Sequence, residues 1–159
     1  MSLINHRRRS ARWHGASQKV GQSAAPLFLD RIDIQCEISA IPFKELSKAQ
    51  PGEPSANIRE RVIAARAIQT RRYEGVAGVH CNAQMTEKMI HEYAEPYENG
   101  LKMLRLAMEK RSLSARAYGR ILKVARTIAD LAGCPQVTAE HIGEAIGYRN
   151  LDRSDWAEG

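Results

Sequence analysis

Along residues 115–133, ARAYGRILKVARTIADLAG, apolar side chains return at alternating intervals of four and three: Ala117, Ile121, Val124, Ile128 and Leu131. That spacing draws one stripe along an α-helix and predicts these five as its buried side. Ser114 stands where an N-cap belongs, and Gly133 with Pro135 provides the stop. The same logic places a helix from an N-cap at Ser55 to about Tyr73–Gly75. Ile58, Val62, Ala65 and Ile68 fall on one side of it, and Arg59, Arg61, Arg66, Arg71 and Arg72 cover the rest. YEGVAGVHCNAQM has three small-residue interruptions and no helical period, so it reads as a loop. Thr86 caps a short helix, TEKMIHEYA. Pro96 suits the first turn of PYENGLKMLRLAMEKR, whose buried side is Leu101, Leu104 and Met108, with Gly100 weakening it slightly. Thr138 caps a last helix, AEHIGEAIGYR, with Ile142, Ala145 and Ile146 inward.

Upstream the period changes. LFLDRIDIQ, residues 27–35, reads as a strand whose Leu27, Leu29, Ile32 and Ile34 would gain by burial. SAIPFKELSKAQPGEPS follows, and Pro42, Pro51 and Pro54 leave room for one helical turn at PFKELS in an otherwise linker-like stretch. The expected fold class is mainly α: a bundle of four or five helices preceded by one strand-like segment and a proline-rich linker. The chain divides into a basic segment (1–25), strand and linker (26–54), a helical domain (55–153) and a short tail (154–159).

Composition narrows the class. The 159 residues are 43% hydrophobic and 26% charged, a balance that folds. No apolar run approaches the twenty or so residues of a membrane span, and the basic N-terminus lacks a signal core. Cys36, Cys81 and Cys134 are odd in number, widely spaced and without CxxC, which predicts free thiols in a reducing cytoplasm rather than zinc ligands or disulfides. Of the net charge of +6, Arg7, Arg8, Arg9, Arg12 and Lys19 supply +5 with no acid among residues 1–28. Such an arm can bind nucleic acid through phosphates; the plainer reading is a disordered or vector-derived end.

Two arginine positions invite a chemical reading. Arg31 stands between Asp30 and Asp33 among apolar residues, where an unpaired guanidinium costs several kcal/mol. Either the two aspartates neutralise it, or it reaches toward an anion outside this domain. On the long helix, Arg116, Arg120, Lys123 and Thr127 share a line about 100° from the apolar stripe. Arg116 occupies the first turn, where the helix dipole favours an acid. A solvated basic face and a phosphate-facing one both fit. Arg126 and Asp130 read as an ordinary i, i+4 pair. His80, His91 and His141 lack metal-ligand spacing, Glu92, Glu95 and Glu98 read as a solvated acidic patch, and no GxSxG or GxxxxGK[ST] occurs.

LDRIDI, IPFKELS, GEPSANIRERV, CNAQM, LSARAYGRILKVARTIADLAG and AEHIGEAIGYRNLDR occur in an order that resembles the C-terminal portion of the ComM/YifB proteins, bacterial AAA+ ATPases of magnesium-chelatase type. The likeness runs from Pro26 to about Arg153. It implies that the bundle is the ATPase lid and that Arg31 is an arginine finger acting in trans on the γ-phosphate of a neighbouring subunit. It implies further that Arg116 is the lid arginine called sensor 2, with Arg120 as the fallback. No metal-binding residue is implied here. ATP and Mg would belong to the full-length parent, with none expected on this fragment, which lacks a P-loop and should not hydrolyse ATP alone. The implied partners are the N-terminal AAA+ core of the same protein, identical subunits in a ring (a hexamer), and DNA that the parent remodels in the cytoplasm; no membrane is involved. Two rivals stand beside this: a subunit of a true magnesium chelatase, and a stand-alone helical module binding nucleic acid or protein.

Overall fold

The computed structural model describes residues 31–36, 40–42, 50–111 and 113–149. Five α-helices follow in order: α1 (Ser55–Arg72), α2 (Glu87–Tyr93), α3 (Glu98–Arg111), α4 (Ala115–Leu131) and α5 (Ala139–Gly147), with a 3-10 turn at Asn82–Gln84 between α1 and α2. The architecture is the expected helical bundle, and the described residues contain no strand. Of the strand-like segment, residues 31–36 form a turn and irregular chain without a partner strand; residues 27–30, the basic segment 1–25, most of the PFKELS turn and the tail lie outside the described residues. No helix among the described residues is long and apolar enough to cross a membrane.

α4 is the hub. It packs against α1, the 3-10 turn, α2 and α5, while α3 lies on α5. Ser114 caps it, its side chain accepting from the Ala117 amide, and the chain leaves through Gly133 at φ +66°, a left-handed turn that suits glycine. Because neighbours cover α4 from several directions, its buried surface is wider than one stripe. Ala117 and Ile121 are buried as expected, but so are Leu122, Ala125 and Ala129. Val124 and Ile128 are half-buried. Leu131 is 46% exposed, because the helix ends there and turns away.

The other helices obey their local signals with two corrections. Thr86 caps α2 through the Met89 amide, and Thr138 with His141 closes a capping box on α5. α1 begins one residue earlier than a Ser55 cap would give: the Pro54 carbonyl accepts from Asn57 and Ile58, so Ser55 is its first helical residue. Of the apolar side expected for α1, Ala65 is buried and Ile68 half-buried, whereas Ile58 and Val62 are exposed, since only the C-terminal half of α1 lies against α4. Gly100 is more than a weak helix former. A Cβ there would lie 2.8 Å from Pro96 Cβ, too close to keep, and 3.5 Å from Ile142 Cγ1, an ordinary contact, so glycine lets the start of α3 close against Pro96.

Arg126 and Asp130 supply the largest departure. Both are 2% exposed, at the centre of the bundle rather than on its surface. Arg72, at the end of α1, donates from Nη1 to Asp130 Oδ2 at 2.7 Å and from Nη2 to Oδ1 at 2.5 Å. Arg126 Nε donates to Oδ1 at 3.1 Å, and Asn82 Nδ2 to Oδ2 at 2.8 Å. The remaining Arg126 protons reach the carbonyls of Cys134 (2.6 Å) and Pro135 (2.9 Å) beyond the helix. Tyr73 Oη donates to Asn82 Oδ1 at 2.7 Å and its ring packs edge-on against Tyr93. Burial alone would push the Asp130 carboxyl up, but the hydrogen bonds from Arg72 and Asn82 and the charges of Arg126 and Arg72 hold it below the ordinary carboxylate value. Asp130 raises Arg72, whereas burial pulls Arg126 down. The difference follows from position: the Arg72 side chain keeps 12% of its surface in water and that of Arg126 keeps 2%.

Three substitutions test this packing. Ile121→Ala should cost about 2–5 kcal/mol in urea unfolding, as large-to-small core changes do, while Leu131→Ala should stay within about 0.5 kcal/mol. Asp130→Asn leaves two arginines facing a neutral amide and should cost about 3–5 kcal/mol near neutral pH. Because the folded carboxyl is lowered, its contribution is complete above the unfolded value of about 4 and fades as pH falls through the lower folded value. The stability gap between wild type and Asp130→Asn should therefore narrow below about pH 4; a gap that widens on acidification would show that the carboxylate is not stabilised by its partners.

Candidate functional site

The first turn of α4 contains no acidic residue and carries Arg116, whose side chain is exposed. The cap at Ser114 and the buried residues Ala117 and Ile121 fix the helix start and with it the backbone position of Arg116. Moving along the same line, the basic stripe becomes progressively engaged. Arg120 is half-buried, and its Nη1 donates to the Arg31 carbonyl at 2.8 Å and to the Asp33 carboxylate. Lys123 Nζ donates to the Ala83 carbonyl at 2.9 Å. Thr127 Oγ1 accepts from Asn82 Nδ2 at 3.0 Å and donates to the Lys123 carbonyl. The stripe is therefore not a uniformly solvated face: its C-terminal members hold the 3-10 turn, its middle member holds residues 31–33, and its first member is the exposed one.

Arg31 is exposed, and Asp33 is bonded to Arg120. The expected brace from Asp30 lies outside the described residues. The chain from Arg31 to Gln35 is pinned from a second direction as well. Arg149, 1% exposed just after α5, donates from Nη1 to the Ile32 carbonyl at 3.0 Å, and the Gln35 amide donates to the Tyr148 carbonyl at 2.8 Å. Residues 31–35 thus lie along the α4–α5 pair, and the Arg31 backbone comes within hydrogen-bond reach of a residue one helical turn from Arg116. Arg149 carried no signal in its spacing, because its partner lies 117 residues away.

No group of three or more metal-ligating side chains occurs among the described residues. Cys36, Cys81 and Cys134 are free thiols. His141 is engaged by its capping box, and Glu92, Glu95 and Glu98 are exposed as expected. What the arrangement offers chemically is cationic: two exposed guanidiniums, on separate pieces of chain linked by Arg120, suited to phosphate oxygens.

The family described as magnesium chelatase, subunit ChlI C-terminal, matches residues 52–149, the whole helical bundle. Over 127 residues, 79% of this chain, the sequence is 40% identical to competence protein ComM of Haemophilus influenzae. It is 39% identical over the same length to the uncharacterized protein YifB of Salmonella typhimurium and to that of Escherichia coli. The chain spans 24% of the length of each of these relatives and corresponds to their C-terminal portion. With its bundle matched from end to end, this chain belongs to the magnesium chelatase ChlI C-terminal family.

Proposed function

We propose that this chain is the lid of an AAA+ ATPase and carries two arginines that act on nucleotide from opposite sides of a subunit boundary. Arg31 is the finger: a planar, permanently charged guanidinium that reaches the γ-phosphate held by the neighbouring subunit and offsets charge developing in phosphoryl transfer. Arg116 is the lid arginine that contacts the subunit's own nucleotide and links lid angle to ATP state. Arg120 is the fallback for that role; it is half-buried and bonded to Asp33 and the Arg31 carbonyl, whereas Arg116 is exposed in the first turn. The observation that carries the reading is the outward-facing Arg116 in an acid-free first turn, with exposed Arg31 held one turn further along the same helix.

ATP with Mg is the substrate of the parent. The sequence has cations suited to phosphate oxygens but no GxxxxGK[ST], so the phosphate cradle and the acid that holds Mg would come from the N-terminal AAA+ core of the same protein. The parent would work as a cytoplasmic ring of identical subunits, a hexamer, and couple hydrolysis to remodelling of DNA. Similarity to a competence protein supports DNA as the object of that work. The family description favours a second reading, metal insertion by a magnesium chelatase. The two part on one measurement: a DNA remodeller hydrolyses ATP faster when DNA is added, and a chelatase does not.

The isolated chain should neither hydrolyse ATP above blank nor bind it with micromolar affinity by calorimetry. In the full-length ring, Arg31→Ala should cost about 10³-fold or more in rate, as loss of a trans finger does. Mixing Arg31→Ala subunits with P-loop-dead subunits should restore part of the activity, since at some interfaces a working P-loop meets an intact finger. Mixing Arg116→Ala subunits with the same P-loop mutant should not, because both lesions then damage their own sites. Failure of the first mixture to recover activity would remove Arg31 from the trans role.

A further inference from the structure

We infer that Arg120 and Arg149 are positioning residues that clamp the backbone beside Arg31 onto the lid, so that α4 joins a subunit's own nucleotide to the finger it offers its neighbour. The functional half of this inference rests on the reading of Arg31 and Arg116 given above; the clamp itself rests on geometry alone. Two consecutive carbonyls, of Arg31 and Ile32, are held by guanidiniums from two different elements, Arg120 of α4 and Arg149 beyond α5. The Gln35 amide adds a third anchor on the Tyr148 carbonyl, and Gln35 is itself 7% exposed. Three backbone anchors within five residues fix the path of the chain, while the Arg31 and Asp33 residues stay exposed. A loop that served only to cover the bundle would bury its apolar side chains; here Ile34 is 51% exposed, and the segment is held by three main-chain contacts together with the Asp33 carboxylate on Arg120.

The consequence follows from rigidity. Arg116 and Arg120 are four residues apart on one capped helix whose core side is buried, so they move together. A rotation of the lid that carries Arg116 toward or away from its own phosphates carries the Arg31 backbone with it. ATP state at one site then changes finger placement at the next, which is a coupling between two distinct sites through one rigid element. Misplacement of a reacting group by about 1 Å can cost on the order of 100-fold in rate, so a small lid rotation is enough.

The test has two arms. In the chain itself, hydrogen exchange of the Gln35 amide reports the clamp. Arg120→Ala should speed that exchange by about tenfold, and Arg120→Lys by less, because an ammonium keeps one of the two bonds; the Ala125 and Ala129 amides should change little. Arg149 is buried and its removal also disturbs the bundle, so Arg120, at the rim, is the primary variant. In the full-length ring, Arg120→Ala should lower kcat by about 10- to 100-fold with KM for ATP unchanged. The defect should appear in the neighbour's site in mixed rings, and Arg120→Lys should recover part of the rate. Unchanged Gln35 exchange in Arg120→Ala overturns the clamp. A raised KM with kcat intact in Arg120→Ala, alongside an Arg31→Ala ring that has lost kcat, overturns the coupling, since that would put Arg120 on nucleotide. If Gln35 exchange rises while Arg31→Ala and Arg120→Ala both leave kcat unaltered, the clamp stands and the finger reading fails.

Discussion

Asp130 lies inside the bundle with a guanidinium on either side, and neither arginine could be buried without it. Arg126 is 2% exposed, and an unpaired charge at that depth costs several kcal/mol. Its protons are taken by Asp130 and by the carbonyls of Cys134 and Pro135. The same carboxylate accepts two bonds from Arg72 and one from Asn82. One side chain thereby ties the end of α1, the 3-10 turn, α4 and the loop into α5 to a single point. The direction in which α4 starts, and so the place of Arg116, depends on that tie at its far end.

From this follows a division of labour among the basic residues. Arg72 and Arg126 are spent on Asp130, Lys123 on the Ala83 carbonyl, and Arg149 on Ile32. They are structural, and a positive charge count says nothing of their use. Arg120 lies between the two groups, bonded to the segment that carries Arg31. Arg31 and Arg116 face outward from a rigid frame, the arrangement that a site assembled across two subunits requires, because each half must be presented without its partner's help.

The helices were legible because their signals are local. Caps at Thr86 and Ser114, the stop at Gly133 and the inward side of α5 depend on residues within a turn or two. What could not be read was what covers each face. Spacing places Arg126 and Asp130 side by side on a helix, but their burial is decided by Arg72 and Asn82, 58 and 48 residues away from Asp130. Leu131 continued the stripe in sequence and left the core in space, because α4 ends there and the chain turns away. Gly100 looked like a cost to its helix and proved the place where α3 closes tightly against Pro96. Of the candidate site, Arg31, Arg116 and Arg120 were visible as charges in unusual places; the bond between Arg120 and the Arg31 segment was not, since 89 residues separate the two.

In the proposed reading one lid serves two nucleotides, its own through Arg116 and its neighbour's through Arg31. The most direct measurement is a structure of the full-length ring with a slowly hydrolysed ATP analogue. The expected result has Arg116 on the phosphates of its own subunit, Arg31 on the γ-phosphate of the adjacent one, and Arg120 still bonded to Asp33 and the Arg31 carbonyl. Arg31 turned back onto aspartates of its own subunit, with no phosphate in reach, would contradict the finger role and leave Arg31 a structural ion pair.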